Sequence, residues 1–281
     1  MQLTNASRLQ FVPGATAIVR GPHHLQFGLD ATRSGIIEAA DPERLAVVFR
    51  TLHSPTRLER FTALALRECG MDPEDTVNLV ADLLSYRVLT TTAPAPALVL
   101  GRSPLATALR ALLSPAGIQL RSPIPRETPE KFISQADPAS AVIAVDQLTT
   151  ARPLAHATSA HPGPVLAVSL IDARVHIGPL RLRRGDPCLY CTDLYHRDRD
   201  PHWSHVAAAL HDASPTPDPL VVAAGATCAA RLIRRLCGAP DPPGVSAPEP
   251  ARGTRIIADP FGPTPVTQDV LPPHPDCPLC Y

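Results

Sequence analysis

The clearest chemistry in this 281-residue sequence lies in two Cys-x-x-Cys pairs, Cys188-Leu189-Tyr190-Cys191 and Cys277-Pro278-Leu279-Cys280. Each pair can form a tight knuckle that directs two thiolates at one point, and four such sulfurs complete the tetrahedral shell of a zinc ion. A shell filled by protein leaves no position for water or substrate. The zinc expected at Cys188, Cys191, Cys277 and Cys280 is therefore structural. Two local disulfides, or four unligated core thiols, are the alternatives. Cys69 falls near a helix end, and Cys228 and Cys237 on an apolar helix, where cysteine packs as a small hydrophobe. His274 stands close enough to the second pair to be an alternative ligand, although His-Pro beside a knuckle also shapes the loop. Beside His196, His202 and His205 no nucleophile or carboxylate stands out as a catalytic partner, and the three read as polar side chains around the site. Asp193, Asp198 and Asp200 alternate with Arg197 and Arg199, a pattern that reads as ion pairs pinning a loop and not as a magnesium site. No catalytic residue is assigned.

The elements that must position these cysteines follow from length and pattern. The chain is long enough for two domains. Lys and Arg together number 26, as do Asp and Glu, so no global basic field invites nucleic acid or an anionic membrane. Neither a signal-type leader nor a membrane span is expected from the apolar runs of this sequence. The expected location is the cytoplasm, where thiols stay reduced and paired Cys-x-x-Cys motifs read first as metal ligands.

Residues 1–90 read as a winged-helix-like domain of three strands and three helices. The strands are Ala17-Ile18-Val19, Leu25-Gln26-Phe27 and Gly35-Ile36-Ile37, forming an antiparallel sheet. Asp41-Pro42 opens the first helix, with Leu45, Val48, Phe49 and Leu52 as its apolar stripe. Thr56 and Glu59 predict a capping box for the second, which Gly70 ends. The third starts at Asp72-Pro73, turns Val77, Val80, Ala81 and Leu84 inward, and gives way to an extended Val88-Leu89-Thr90. Its acidic residues Asp72, Glu74, Asp75 and Asp82 outnumber Arg87, which argues against reading a DNA groove. A peptide fits better, added as a strand on an open sheet edge at Gly35, Ile36, Ile37 and Glu38, with Val77, Val80, Ala81 and Leu84 supplying side-chain pockets.

A Thr/Ala/Pro-rich linker, 91–96, leads to the second domain, 97–281. There Ala97-Leu98-Val99-Leu100, a turn, a helix turning Leu105, Leu109 and Leu112 inward and ending at Gly117, and Ile118-Gln119-Leu120 make a Rossmann-like βαβ unit. Ala141–Val145, Val165–Leu170 and Val175–Gly178 read as further strands. A helix is expected over Ser204–Leu210, and a longer one, apolar nearly all round, over Pro219–Leu236. After a Pro/Gly-rich loop, 239–253, Arg255-Ile256-Ile257 and Val266–Val270 form a closing hairpin. A nucleotide site on the βαβ unit would carry Gly-x-Gly-x-x-Gly and an acid ending the next strand. This chain has Gly101, Ser103 and Ala106, with Pro104 lacking an N–H and Arg121-Ser122 in place of the acid, so the loop is degenerate and ATP is not expected.

The run Gly178-Pro179-Leu180, Gly185 through Leu194 and Arg197 through Trp203, with the closing His274-Pro275-Asp276-Cys277-Pro278-Leu279-Cys280, resembles the E1-like, ThiF-related proteins of peptide-natural-product clusters. These are the cyclodehydratase partner proteins of azole and azoline (TOMM, bacteriocin) biosynthesis. The Cys-centred motif carries the likeness, and residues 1–90 resemble the RiPP recognition element of that group. The resemblance implies an E1-like fold with a structural zinc and no surviving adenylation. It also implies a non-catalytic scaffold that binds the leader of a precursor peptide and presents the core to a separate YcaO-type cyclodehydratase. A homodimer through the E1-like domain is the family-like expectation, with no membrane and no nucleic acid as partner. Two other readings stay open: an ATP-dependent E1-like adenylyltransferase, and a winged-helix, zinc-containing DNA-binding regulator.

Overall fold

The structure, a computed structural model, describes residues 3–91, 93–213 and 216–280. Thr92 of the expected linker, and Met1, Gln2 and Tyr281 at the ends of the two expected domains, lie outside the described residues. Two units emerge: one runs to Ala93 and takes in Pro240–Pro248, and the other comprises Pro94–Ala239 and the chain from Glu249 onward. Pro240–Pro248, read from sequence as a loop of the second domain, clusters with the first. Gly244, at φ +67°, lies so close to the Arg33 backbone that a Cβ would come within 2.4 Å of its carbonyl oxygen.

The first unit contains β1 (Arg8–Phe11), β2 (Ala17–Val19), β3 (His24–Phe27), the short helix α1 (Ala31–Ser34), β4 (Ile36–Glu38), α2 (Pro42–Arg50), β5 (Thr56–Arg57), α3 (Leu58–Cys69), α4 (Pro73–Ser85) and β6 (Leu89–Thr90). The order β2-β3-β4 forms the expected antiparallel sheet, and β5-β1-β6 forms a second, so the unit has six strands among the described residues where three were expected; β5 and β6, of two residues each, are too short to show a period. Asp41 and Asp72 cap α2 and α4, accepting from the N–H groups of Arg44 and Glu74, with proline at the first turn of each.

The capping box expected at Thr56 and Glu59 does not form. Thr56 pairs with Leu9 in the strand ladder and its hydroxyl donates to the carbonyls of Thr51 and Ser54, so α3 begins at Leu58 without a side-chain cap. Gly70 ends α3 in the left-handed region, as expected. Phe49, fully buried, anchors the core with ring centroids 6.1 Å from Phe11, 5.2 Å from Phe27 and 5.4 Å from Phe61. On α4 the fully buried residues are Thr76, Val80 and Leu83, a stripe rotated from the expected one. Burial of Thr76 is tolerated because its hydroxyl donates to the Asp72 carbonyl, while Ala81 turns out to solvent.

The second unit contains β7 (Ala97–Leu100), α5 (Pro104–Leu113), β8 (Leu120–Arg121), α6 (Pro129–Ser134), β9 (Ala141–Val145), α7 (Ala151–Ser159), β10 (Val165–Ile171), β11 (Arg174–Arg181), α8 (Leu189–Arg199), α9 (Trp203–Ala213), α10 (Pro219–Leu236), β12 (Thr254–Ala258) and β13 (Val266–Val270). One seven-stranded sheet runs β13-β12-β11-β10-β9-β7-β8, parallel from β8 to β10 and antiparallel beyond. Every residue of β7 and β9 is buried, as befits strands covered on both faces. Val99, Ile143 and Val145 meet α5 and α10, while Leu98, Val142 and Ala144 meet α6, α7 and α8.

Four local expectations change. Leu113 replaces Leu112 on the inner face of α5, and Leu112 is 43% exposed. The second strand shrinks to Leu120–Arg121, and Asp193 to Arg199, read as a loop, are helical. Helix α10 keeps an outer face: Leu220 is 62% exposed, while Val221, Val222, Gly225 and Ala226 are buried.

Candidate metal centre and peptide edge

The four paired cysteines converge. Their Sγ atoms are separated by 3.9 Å (Cys188–Cys191), 3.7 Å (Cys188–Cys277), 3.5 Å (Cys191–Cys280) and 3.7 Å (Cys277–Cys280), and all lie within 4.8 Å of one another. These contacts are far longer than a disulfide, and all seven cysteines are free. A tetrahedron of sulfurs each about 2.3 Å from a zinc ion has edges of about 3.8 Å, so the donor set fits a metal ion without rearrangement. Among the described residues this is the one His/Cys/Asp/Glu group with such geometry.

Local structure explains the convergence. Cys188 caps the start of α8 and Cys191 occupies its first turn, while the second pair ends the chain's last described turn, where the Cys280 N–H donates to the Cys277 carbonyl. Buried Asp186 organises the approach, accepting from the N–H groups of Leu182 and Arg183. The His274 N–H points at Cys191 Sγ (3.4 Å), and Cys280 Sγ donates to the Asp186 carbonyl (3.3 Å). Hydrogen bonds from Cys188 and then Cys280 hold the Cys191 thiol well below its ordinary range, while the same sharing pushes Cys188 and Cys280 up. Crowded thiols that resist joint ionisation are what a bound cation relieves.

The histidines and aspartates fall around the knuckles. His274 is 2% exposed, but its ring serves other partners: Nδ1 accepts from the Asp276 N–H (3.1 Å) and Nε2 lies 2.8 Å from Asp198 Oδ2. It thereby ties the second knuckle to α8. Asp193 lies 3.8 Å from Arg197 and accepts from Trp203 Nε1, and Asp200 accepts from the His202 N–H. His196 stacks on Trp203 at 4.2 Å, and neighbouring His176 is driven down to about 4, chiefly by burial and then by His196 and Arg255. Sequence reading missed Arg181, 5% exposed, whose guanidinium donates to the carbonyls of Thr158 and His161. An arginine in a strand pattern gives no sign of burial.

Strand β4 forms one edge of its sheet. Its ladder to β3 is flanked by bonds from the Phe27 N–H to the Gly35 carbonyl (3.2 Å) and from the Ala39 N–H to the His23 carbonyl (2.9 Å). Period-two alternation then turns Ile37 toward β3, and turns the N–H and C=O groups of Ile36 and Glu38 outward. Among the described residues these outward groups have no partner. Gly35, Ile36 and Glu38 are exposed and Ile37 is half-buried. Helix α4 packs chiefly on α3 and β6; its Val77 and Leu84 are half-buried against the core that Ile37 also borders, and Val80 lies inside that core. The structure thus links the two sets of candidate peptide-binding residues through a shared core, and leaves Ala81 exposed.

The glycine loop has a structural explanation. A Cβ on Gly101, at φ +125°, would lie 2.3 Å from the Val145 carbonyl oxygen, so the glycine lets β7 and β9 pack. Ser103 caps α5 with its own hydroxyl, accepting from Ala106 N–H, and Pro104 follows at the first helical turn. At the end of β8, where an acid would hold a ribose, Arg110 instead donates to Ser122 Oγ and the Gly101 carbonyl.

The second unit defines a three-layer α/β class with a mixed sheet. No family model and no curated protein matches the sequence. Solved structures do share its fold. A chain of the E. coli microcin synthetase McbBCD complex with pro-MccB17 bound is 13% identical, with a TM-score of 0.62, over 97% of this chain and 99% of that one. A heterocyclase in complex with substrate and cofactor is 16% identical at a TM-score of 0.54, and the heterocyclase TruD is 16% identical at 0.52. Those alignments cover 98% and 97% of this chain but 39% and 42% of the heterocyclases, so the chain spans about two fifths of their length. Among the described residues no helix is long and apolar enough to cross a membrane.

Proposed function

We propose that this protein is a non-catalytic scaffold of peptide heterocycle biosynthesis. Residues 1–90 act as a winged-helix-like recognition element, and the E1-like portion beyond the 91–96 linker holds that element beside a modifying enzyme. The observation that carries the reading is the open β4 edge, where two outward N–H groups and two outward carbonyls, at Ile36 and Glu38, await an added strand. The leader of a ribosomally made precursor supplies that strand, and exposed or half-buried side chains of α4, such as Val77, Ala81 and Leu84, contact it. The core of the peptide passes to a separate YcaO-type cyclodehydratase. The shared fold with a microcin synthetase chain supports this assignment. Zinc is the metal assigned to Cys188, Cys191, Cys277 and Cys280, because four thiolates at tetrahedral spacing suit it. Zinc fastens the second knuckle to α8 and takes no part in chemistry, and the protein acts as a homodimer.

Fluorescence polarisation with labelled precursor peptides encoded beside the gene tests the proposal. Saturable binding of one leader supports it, and failure of every neighbouring peptide to bind removes it. Peptide-dependent pyrophosphate exchange by the isolated protein would favour an adenylating enzyme instead.

A further inference from the structure

At the carboxyl ends of β7 and β9 the strand order reverses direction, because β7 is followed by β8 on one side and β9 lies on the other. Such switch points open a crevice in parallel sheets. Here the crevice is a cleft of about 560 Å³, within the range of small-molecule sites. Its walls are mainly apolar, with Leu105, Leu148, Leu170, Leu210 and Val222 among them; Gln147, Thr149 and Thr216 add polar groups, and Asp146 supplies a carboxylate.

Asp146 follows β9 directly, in a left-handed conformation (φ +52°). One carboxylate oxygen accepts from the Leu170 N–H (2.7 Å) and the other from the Ser103 hydroxyl. Among the described residues no cation lies within ion-pair distance of it. Arg102 borders the cleft but is exposed. Desolvation accordingly lifts the Asp146 carboxyl above its ordinary range, and the two hydrogen bonds offset only part of that. A part-buried carboxylate without a countercharge is costly, and a donor cation entering an apolar cleft removes that cost.

The same geometry rejects phosphate. Pro104 has no N–H, the Ala106 N–H is taken by Ser103 Oγ, and the Thr107 N–H by the Ser103 carbonyl. An anion placed at this helix start would meet the Asp146 carboxylate and few free donors.

We infer that the switch-point cleft binds a small organic ammonium, a primary amine on an apolar stem, with Asp146 as its counter-ion and Ser103 as the positioning hydroxyl. The site stands independently of the peptide edge.

Calorimetric titration of the full-length protein with phenethylamine tests this, using 3-phenylpropionate and MgATP as comparison ligands. Wild type should bind phenethylamine and neither comparison ligand. Asp146→Asn, which keeps an oxygen for the Leu170 N–H, should weaken the amine at least tenfold. Ala207→Phe should block it by filling the cleft from α9, with the fold of both variants checked by circular dichroism. Equal binding by Asp146→Asn, equal uptake of the carboxylate, or no amine binding by wild type would overturn the inference. So would MgATP binding that Asp146→Asn abolishes, since that describes a nucleotide site.

Discussion

Replacing Ile36 by proline isolates the proposed peptide contact from the fold. The Ile36 N–H faces away from β3, so proline removes a donor from the open edge while leaving the β3–β4 ladder its inward bonds at Ile37. Ile36 is 41% exposed, so little core packing is lost. One intermolecular hydrogen bond contributes about 1 kcal/mol, which is roughly a fivefold rise in Kd. Adding Glu38→Pro takes the second outward donor, for about 2 kcal/mol and a rise of roughly 30-fold in all. Polarisation titrations of both variants against the same labelled leader read these ratios. Thermal melts confirm that the unit remains folded. Leader affinity unchanged in the double variant, with an intact fold, would refute strand addition at β4.

Further outcomes follow from other parts of the molecule. Cys277→Ser or Cys280→Ser should release the metal and loosen the second unit, because closed thiolate sites contribute folding free energy directly; a full metal complement in both, by plasma emission analysis, contradicts this. Phe49→Ala should cost about 3–5 kcal/mol in a denaturant titration, as it deletes the centre of a four-phenylalanine core, and a loss under 1 kcal/mol would show that the core collapses around it. Partial burial lowers His176 to about 4, so below pH 6.5 the unfolded chain takes up a proton that the folded one refuses. Stability should fall as pH drops from 6.5 toward 4, by about 3 kcal/mol at most, and His176→Gln should flatten that slope. Fluorescence of Trp203, the single tryptophan, can follow the unfolding.

Motif spacing made the four-cysteine cluster legible: two Cys-x-x-Cys pairs 89 residues apart meet because α8 and the closing turn bring them together. Periodicity also exposed β2, β7, β9 and α10, whose apolar runs are long or unbroken, and β3, whose Leu25 and Phe27 alternate with polar residues. It failed where hydrogen bonding overrides pattern. Thr56 looked like a cap and became a strand residue, and Thr76, outside the expected stripe of Val77, Val80, Ala81 and Leu84, became core, each because a nearby carbonyl accepts its hydroxyl. Asp193 to Arg199 looked like a loop because alternating charges hide helix, while the i,i+4 pair of Asp193 and Arg197 supports one. Asp146 left only a faint sign, an acid closing an otherwise apolar strand, and its meaning depends on Ser103, 43 residues away.

Hydrogen exchange read at single residues, with and without the leader peptide, tests the central claim most directly. If the leader adds as a strand to β4, the amides of Ile36 and Glu38, unpartnered in the free protein, gain strong protection on peptide addition, while Ile37, already bonded to β3, changes little. Protection that appears elsewhere and leaves Ile36 and Glu38 exchanging freely would contradict the account.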